Sequence, residues 1–522
     1  MSSARLSAVV ALVIASLLAP LLVASPAGAQ SDDTITIGTT DLPRSLDPAD
    51  AYDFAAWEVL SHLYTGLTRQ TPGTLDTELA LASAVDVSED GLTYTFTLRE
   101  DTAFADGTPI TAQDFVASIE RVIALNRPAA EAVTPYVARV EADDEGRLVF
   151  TLRRPVPYFL ALVALPPYFA QHPTLAAKAQ ADPFLANGMI GSGPYQLERY
   201  TPGQAIILTA DESYTLGPAP QNARIVLRQF AYTRDLRAAL LARELDAAWR
   251  ALSPDDLAQL GRVDGLVRYT VPSTRVYYLY MNQELEPTDD PLVREAIVRL
   301  LEREESVQQV FGAQMSPLTS LVPDLFPEAY APIWPDEPDV PAAEEALRAA
   351  AYSDRGSFRL SFGLTTSRYL YGDRLVSGVQ QLLRASLRDT DYVLSGLSSD
   401  RTGSEFMRDI REGTPSAAVI GWTPIVPHPL AYLRPLVHSD EAIPANAHYA
   451  TPELDALLDE AAATSDPARL EALYAEIAQI LLDDYAIAPL WQDTHTLIAW
   501  DDLSGIVIEP NGLLHLDLLA RE

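Results

Sequence analysis

The sequence predicts an α/β protein, and three observations carry that prediction. From Pro341 onward, helix-like and strand-like segments alternate. Short runs such as Thr93–Leu98 (TYTFTL) alternate apolar and polar residues with the period of a strand. Several helix starts are marked by a capping side chain directly before a proline, the residue best tolerated at a first helical position.

In chain order, Thr34–Thr40 (TITIGTT) reads as a first strand. Glu89-Asp90-Gly91 is a turn leading into the strand Thr93–Leu98, and Asp106-Gly107 is another turn. Thr111 caps a helix with Asp114 as its capping-box partner, and Phe115, Ile119, Val122 and Ile123 recur at helical spacing. Leu148–Leu152 is a further strand. Ser253-Pro254, Asp290-Pro291, Thr451-Pro452 and Asp466-Pro467 each open a helix, the second running from Pro291 to about Arg303. Arg275–Met281 (RVYYLYM) is a tyrosine-rich strand, and Pro317–Pro341 a proline-rich loop. The alternating part comprises Glu344–Ala351, Phe358–Leu364, Asp373–Arg388, Tyr392–Leu394 and Ala417–Trp422.

The first thirty residues differ from the rest. Arg5 supplies a positive charge, Leu6–Val23 is almost wholly apolar or small, and Ala27-Gly28-Ala29 has the small-x-small pattern of a cleavage site. A signal peptide of residues 1–29 is expected, cut before Gln30. The rival reading, a membrane anchor, fits Pro20 and Pro26 less well, and no later stretch is long and apolar enough to span a bilayer. The 522 residues contain no cysteine, which excludes disulfides, thiolate metal sites and a cysteine-borne lipid anchor. A net charge of −35 argues against nucleic-acid binding. Lys178 is the single lysine among 37 basic residues, a bias of a GC-rich genome or of a saline habitat.

Several segments resemble the extracellular solute-binding proteins of family 5, the peptide and nickel binders of ABC importers. Leu81–Ser118 is similar to the family's signature strand, turn and capped helix almost position by position. Ser45-Leu46-Asp47-Pro48, Tyr64-Thr65-Gly66-Leu67, Gly191-Ser192-Gly193-Pro194-Tyr195 and Tyr278–Ile297 match further family blocks in the family's order. The resemblance implies a two-lobed, periplasmic-binding-protein-like fold (type II, large cluster) with an extra inserted subdomain and a ligand cleft between the lobes. Lobe I would be built from residues 30–66, 190–270 and 490–522, the inserted subdomain from 67–189 and lobe II from 271–489. The crossing strands would lie near Val271–Tyr280 and Ile487–Trp491.

The segment Gly421–Pro429 (GWTPIVPHP) is similar to the family's G-W-x-x-D-Y-x-D-P cleft segment. In peptide-binding members its first Asp pairs with the ligand's amino terminus. Here that position is Ile425 and the second Asp is His428; no acidic residue lies between Glu412 and Ser439. A buried ammonium without an opposite charge is costly, so the amino group is anchored elsewhere or the ligand lacks one. The cleft candidates are Trp422, Thr423, Ile425, His428, Asn282, Tyr280, Tyr278 and Arg44. Tyr277, Tyr278 and Tyr280 lie on a strand with one face expected toward the core and the other toward the cleft. His428, His438 and His448 sit ten residues apart, a spacing without structural meaning, and no metal site or cofactor is expected.

Gly191-x-Gly193 is read as a tight turn and not a nucleotide loop. No G-x-S-x-G or H-E-x-x-H motif marks a hydrolase. The expectation is a monomeric, periplasmic or extracellular solute-binding protein that catalyses nothing, takes peptides by default and delivers them to an ABC permease. Three alternatives stay open: a binder of a sugar, opine-like solute or metal chelate, a secreted hydrolase, and a sensor that presents its ligand-bound form to a membrane receptor.

Overall fold

The computed structural model describes residues 33–178, 180–181, 189–250, 252–350, 359–361, 393–395, 408–410, 412–441, 449 and 451–522. The cleavage site after Ala29, the helix expected at Asp373–Arg388 and His448 lie outside the described residues.

Two long strands organise the molecule. Leu266–Met281 and Ile487–Trp500 run antiparallel to each other for almost their whole length. The first gains an outer neighbour in its second half, and the second exchanges one outer neighbour for another along its length. The second half of the first, Val276–Met281, pairs with Ala417–Trp422. The first half of the second, around Trp491–Asp493, pairs with Met315–Pro317, and its end, Leu497–Ala499, with Ala247–Trp249. Beyond Ala247–Trp249 the sheet continues through Thr34–Thr39, Arg224–Gln229, Ala205–Ala210 and Tyr195–Thr201. Thr34–Thr39 is parallel to both of its neighbours, and the other pairs are antiparallel. One nine-stranded sheet thus serves two bodies that share two strands. The register between them slips from Pro272↔Thr494 to Val276↔Gln492, at the changeover.

A separate four-stranded antiparallel sheet has the order Ala82–Val87, Thr93–Leu98, Leu148–Leu152, Val137–Ala142. Its apolar face packs on the helix Ala112–Leu125, whose Thr111/Asp114 capping box is formed as read from the sequence. The helices beginning at Pro254, Pro291, Pro452 and Pro467 are all present, with Ser253, Asp290, Thr451 and Asp466 accepting backbone amides.

Two helix bounds differ from expectation. The helix from Pro291 ends at Arg299, not Arg303, because Arg303 turns inward and donates to the carbonyls of Pro489 (2.8 Å) and Pro335 (2.5 Å). The helix expected from Glu344 starts at Val340, where Asp339 accepts the Ala342 amide and Pro341 occupies the first turn. In the remaining part, Arg359–Ser361 and Val393–Ser395 pair as parallel strands.

The family blocks explain themselves as structure. Ser192 and Gly193 both donate backbone N–H groups to the Leu63 carbonyl (3.0 Å each), and Thr65 exchanges bonds with Ser192 (3.1 and 2.9 Å). The Tyr64–Leu67 and Gly191–Tyr195 segments therefore hold each other.

The C-terminal segment is held by charge. His515 lies 2.6 Å from Glu509 and 3.6 Å from Asp517, which also contacts His62 at 3.2 Å. Burial lowers the His515 pKa, but its bonds to Asp517 and Glu509 outweigh this and raise it to about 9. The protonated form is thus stabilised by folding. Its contribution is fully present below the unfolded value near 6.5 and is lost as pH rises through about 9. Urea unfolding near pH 6 and near pH 10 is expected to show a wild-type loss that His515→Gln lacks. Identical losses in both proteins would contradict this assignment.

Candidate functional site

Where the long strands change partners, the two bodies leave a cavity of about 1280 Å³ between them. Its wall is built from chain segments far apart in sequence. The loop after the first strand supplies Asp41 and Arg44, and the start of the next helix supplies Asp53 and Phe54. Trp249 ends a short central strand and Arg250 follows it, Ser273 and Arg275 come from one crossing strand, and Asp493–Thr496 from the other. Thr423 reaches in from the far body.

The wall carries both signs of charge. Arg44, Arg127, Arg250 and Arg275 line it together with Asp41, Asp50, Asp53 and Asp493. In a chain of net charge −35, this is an island of near balance. At the rim, Arg127 donates to Asp50 (2.8 Å). Asp53 caps the helix Phe54–Leu63 by accepting the Ala56 amide at 2.8 Å; burial raises its carboxyl pKa. Arg250 adopts a left-handed backbone conformation (φ 67°), rare for a residue with a side chain. It is held there by Glu58 (3.1 Å) and the Gly512 carbonyl (2.8 Å), with Asp41 at 3.6 Å. Glu58 also accepts from Trp249 (3.1 Å) and the Leu514 amide (2.9 Å), so the strained residue is fixed by a buried carboxylate. Burial, with Arg250 and Arg275 nearby, lowers the His495 pKa to about 3, so its ring is neutral. Its Nε2 faces the Pro510 carbonyl at 3.1 Å and must donate, leaving Nδ1 as an acceptor.

Of the residues nominated from sequence, Arg44 and Thr423 line this cavity. The others sit elsewhere. Trp422 ends its strand opposite Val276 and donates Nε1–H to the Ala431 carbonyl (2.9 Å). Ile425 is partly buried against the core. His428 accepts the Leu430 amide (3.2 Å) at the start of the helix Leu430–Val437, and burial lowers its pKa to about 4. Tyr278 and Tyr280 are both buried inside the far body; Tyr278 donates to the Leu321 carbonyl (2.5 Å), and Tyr280 packs with Ile410, Ala418 and Ile420. Asn282 is buried too, with bonds to Gly413 (3.1 Å) and Glu284 (2.9 Å).

Sequence reading passed over Arg250, Arg275, Asp493 and His495. The usable signal was the polar run Gln492-Asp493-Thr494-His495 inside an otherwise apolar strand, which extends past the Trp491 expected to end the crossing. Among the described residues, no group of three or more His, Asp or Glu side chains could hold a metal ion.

A second contact joins the bodies away from the cavity. Glu441 accepts from Arg434 (2.6 Å) and from Arg154 (2.5 Å), the latter on the loop after the four-stranded sheet. Nearby, the Tyr158 and His428 rings lie 5.0 Å apart.

Two bodies joined by a pair of shared strands, with a charged cavity at the junction, define a two-lobed binding protein. Residues 76–443 match the model of the bacterial extracellular solute-binding proteins, family 5 (middle region), and the chain belongs to that family. A probable D,D-dipeptide-binding periplasmic protein, DdpA of Escherichia coli K12, is 28% identical over 491 residues, 92% of each chain. The glutathione-binding protein GsiB of Salmonella typhi is 26% identical over 504 residues, 95% of each. Among solved structures, HbpA2 of Haemophilus parasuis superposes with a TM-score of 0.81 at 22% identity, covering 94% of this chain and all of that one. The periplasmic binding protein DppA of Helicobacter pylori, in complex with the peptide STSA, gives 0.74 at 22% identity, covering 94% and 98%.

Proposed function

We propose that the chain is the solute-capturing component of an ABC importer, binding a short peptide by closure of its lobes and delivering it to a membrane permease. The observation that carries this reading is the roughly 1280 Å³ cavity at the strand changeover, lined by both arginines and aspartates. Small-molecule sites of some 300–1,000 Å³ favour such junctions, and a peptide needs partners of both signs. Relatives named for D,D-dipeptides and glutathione support the peptide class. Residues 30–66, 190–270 and 490–522 form lobe I in this reading, 67–189 the inserted subdomain and 271–489 lobe II, in keeping with the partner change near Ser273 and Asp493. The protein acts as a periplasmic or extracellular monomer, exported by residues 1–29, and catalyses nothing.

One observation favours a second reading. Ile425 stands where the peptide-binding pattern has its Asp, and the periplasmic binding protein AgaA, in complex with agropinic acid, shares the fold with a TM-score of 0.74 at 20% identity. A non-peptide solute on the same scaffold is the rival. Native mass spectrometry of the purified chain, followed by denaturing release of what it carries, separates the two. A set of short peptides supports the first reading; a single non-peptide mass overturns it.

A further inference from the structure

We infer that the Gly421–Pro429 segment is a proton-sensitive seam between the lobes, which close on a neutral His428 ring and part when that ring takes a proton. This rests on the two bodies being lobes that close on a solute, and adds a control of that motion. The segment reaches two places. Thr423 stands in the cavity wall, whereas the partly buried His428 packs on Tyr158 of the inserted subdomain, with ring centres 5.0 Å apart. Val156 and Tyr158 of the subdomain and Val426 and Leu430 of lobe II belong to one buried apolar cluster. The ring therefore lies between bodies that separate when the cavity opens.

Hydrogen bonding decides where a proton would go. His428 Nδ1 accepts the Leu430 amide at 3.2 Å, so the neutral ring carries its hydrogen on Nε2. A second proton must take Nδ1 and displace that amide. Leu430 is 0% exposed and opens the helix Leu430–Val437, so its amide would be left inside the protein without its acceptor. Among the described residues, the titratable groups on the subdomain side of the seam are Tyr136, Arg154 and Tyr158. On the lobe II side they are Arg434, His438, Glu441 and Asp459. Glu441 is matched by Arg154 (2.5 Å) and Arg434 (2.6 Å), and Asp459 by Arg434 (2.9 Å), so each carboxylate already has a cation.

Burial is accordingly the cause that lowers the His428 pKa to about 4. The closed form binds this proton less well than an open form whose imidazole meets water. Closure is therefore favoured above the ordinary value near 6.5 and opposed as pH falls from there toward about 4. Where the peptide-binding pattern has its second Asp, this chain thus carries a group that titrates in mild acid.

The test is small-angle X-ray scattering of the purified chain at pH 7 and pH 5, joined to an NMR titration of its imidazoles. His428→Asn keeps a side-chain acceptor for the Leu430 amide and takes no proton, and melting curves verify that it folds. The wild-type radius of gyration is expected to grow between pH 7 and pH 5, and that of His428→Asn to keep its pH 7 value. The His428 resonance, assigned by its loss in His428→Asn, is expected to titrate well below 6.5 in the wild type. In Tyr158→Leu, which opens the subdomain side of the seam, its midpoint is expected to move up. Equal growth in wild type and His428→Asn, or growth in neither, overturns the seam. So does a His428 midpoint near 6.5 in the wild type, or one that Tyr158→Leu leaves in place. None of these outcomes touches solute capture, which is judged separately by the mass released from the same preparation.

Discussion

Asp47→Asn is expected to cost about 3–5 kcal/mol of stability, the penalty for stranding one partner of a buried ion pair. Asp47 and Arg121 are 0% and 4% exposed and meet in a fork, with Nη1–Oδ1 2.8 Å and Nη2–Oδ2 2.6 Å. Gln171 (2.8 Å) and the carbonyls of Lys178 (3.0 Å) and Gln180 (3.2 Å) take further guanidinium hydrogens, and Asp47 also accepts the Ala49 amide (3.0 Å). The pair ties the loop carrying Ser45-Leu46-Asp47-Pro48 to the helix of the four-stranded body. Asparagine keeps the shape and removes the charge, so the cost reports electrostatics and not a cavity. Urea midpoints should fall for Asp47→Asn and for Arg121→Met by similar amounts. The double variant should recover much of the loss, because it leaves no charge stranded. A cost below about 1 kcal/mol for the single variants would mean that water reaches the pair after all.

Gly193→Ala is the second large effect. An alanine Cβ there would lie 2.4 Å from the His62 carbonyl oxygen and 2.6 Å from both the Leu63 carbonyl carbon and the Tyr64 nitrogen. These are backbone atoms, and the Leu63 carbonyl is already fixed by the amides of Ser192 and Gly193, so nothing nearby yields cheaply. Overpacking of this kind costs about 3 kcal/mol or more. Gly107→Ala is the control. Its φ of 86° disfavours a side chain, yet nothing lies within 4 Å of the added carbon. A loss of only about 1–2 kcal/mol is expected there. Equal losses at the two sites would show that conformation, not contact, sets the price at Gly193.

What could be read from the sequence was local. A cap is written in two or three adjacent residues, and Ser253, Asp290, Thr451 and Asp466 all cap as expected. The strand Ala417–Trp422 has the expected bounds, which match the stretch Val276–Met281 that it pairs with. Exposure does not sort the tyrosines of Val276–Met281 into a core side and a cleft side. All six residues of that stretch are buried, since the strand lies inside the sheet with both faces covered, so alternation does not mark a cleft side. Arg250 and Arg275 come to one cavity wall with Asp493, more than two hundred residues further along, only when their segments join one sheet, and no pattern within any one segment announces that.

The contact at Glu441 links the two bodies at a second place. Arg154 and Glu441 are about one-fifth exposed, 22% and 21%, so parting the bodies there returns a cation and a carboxylate to water that already touches them. Salt screens such a pair readily. In the proposed closure this contact spans the lobes, so it has to break before they part. Raising ionic strength is therefore expected to speed dissociation of a bound solute, a change that stopped-flow release measured at low and high salt would read.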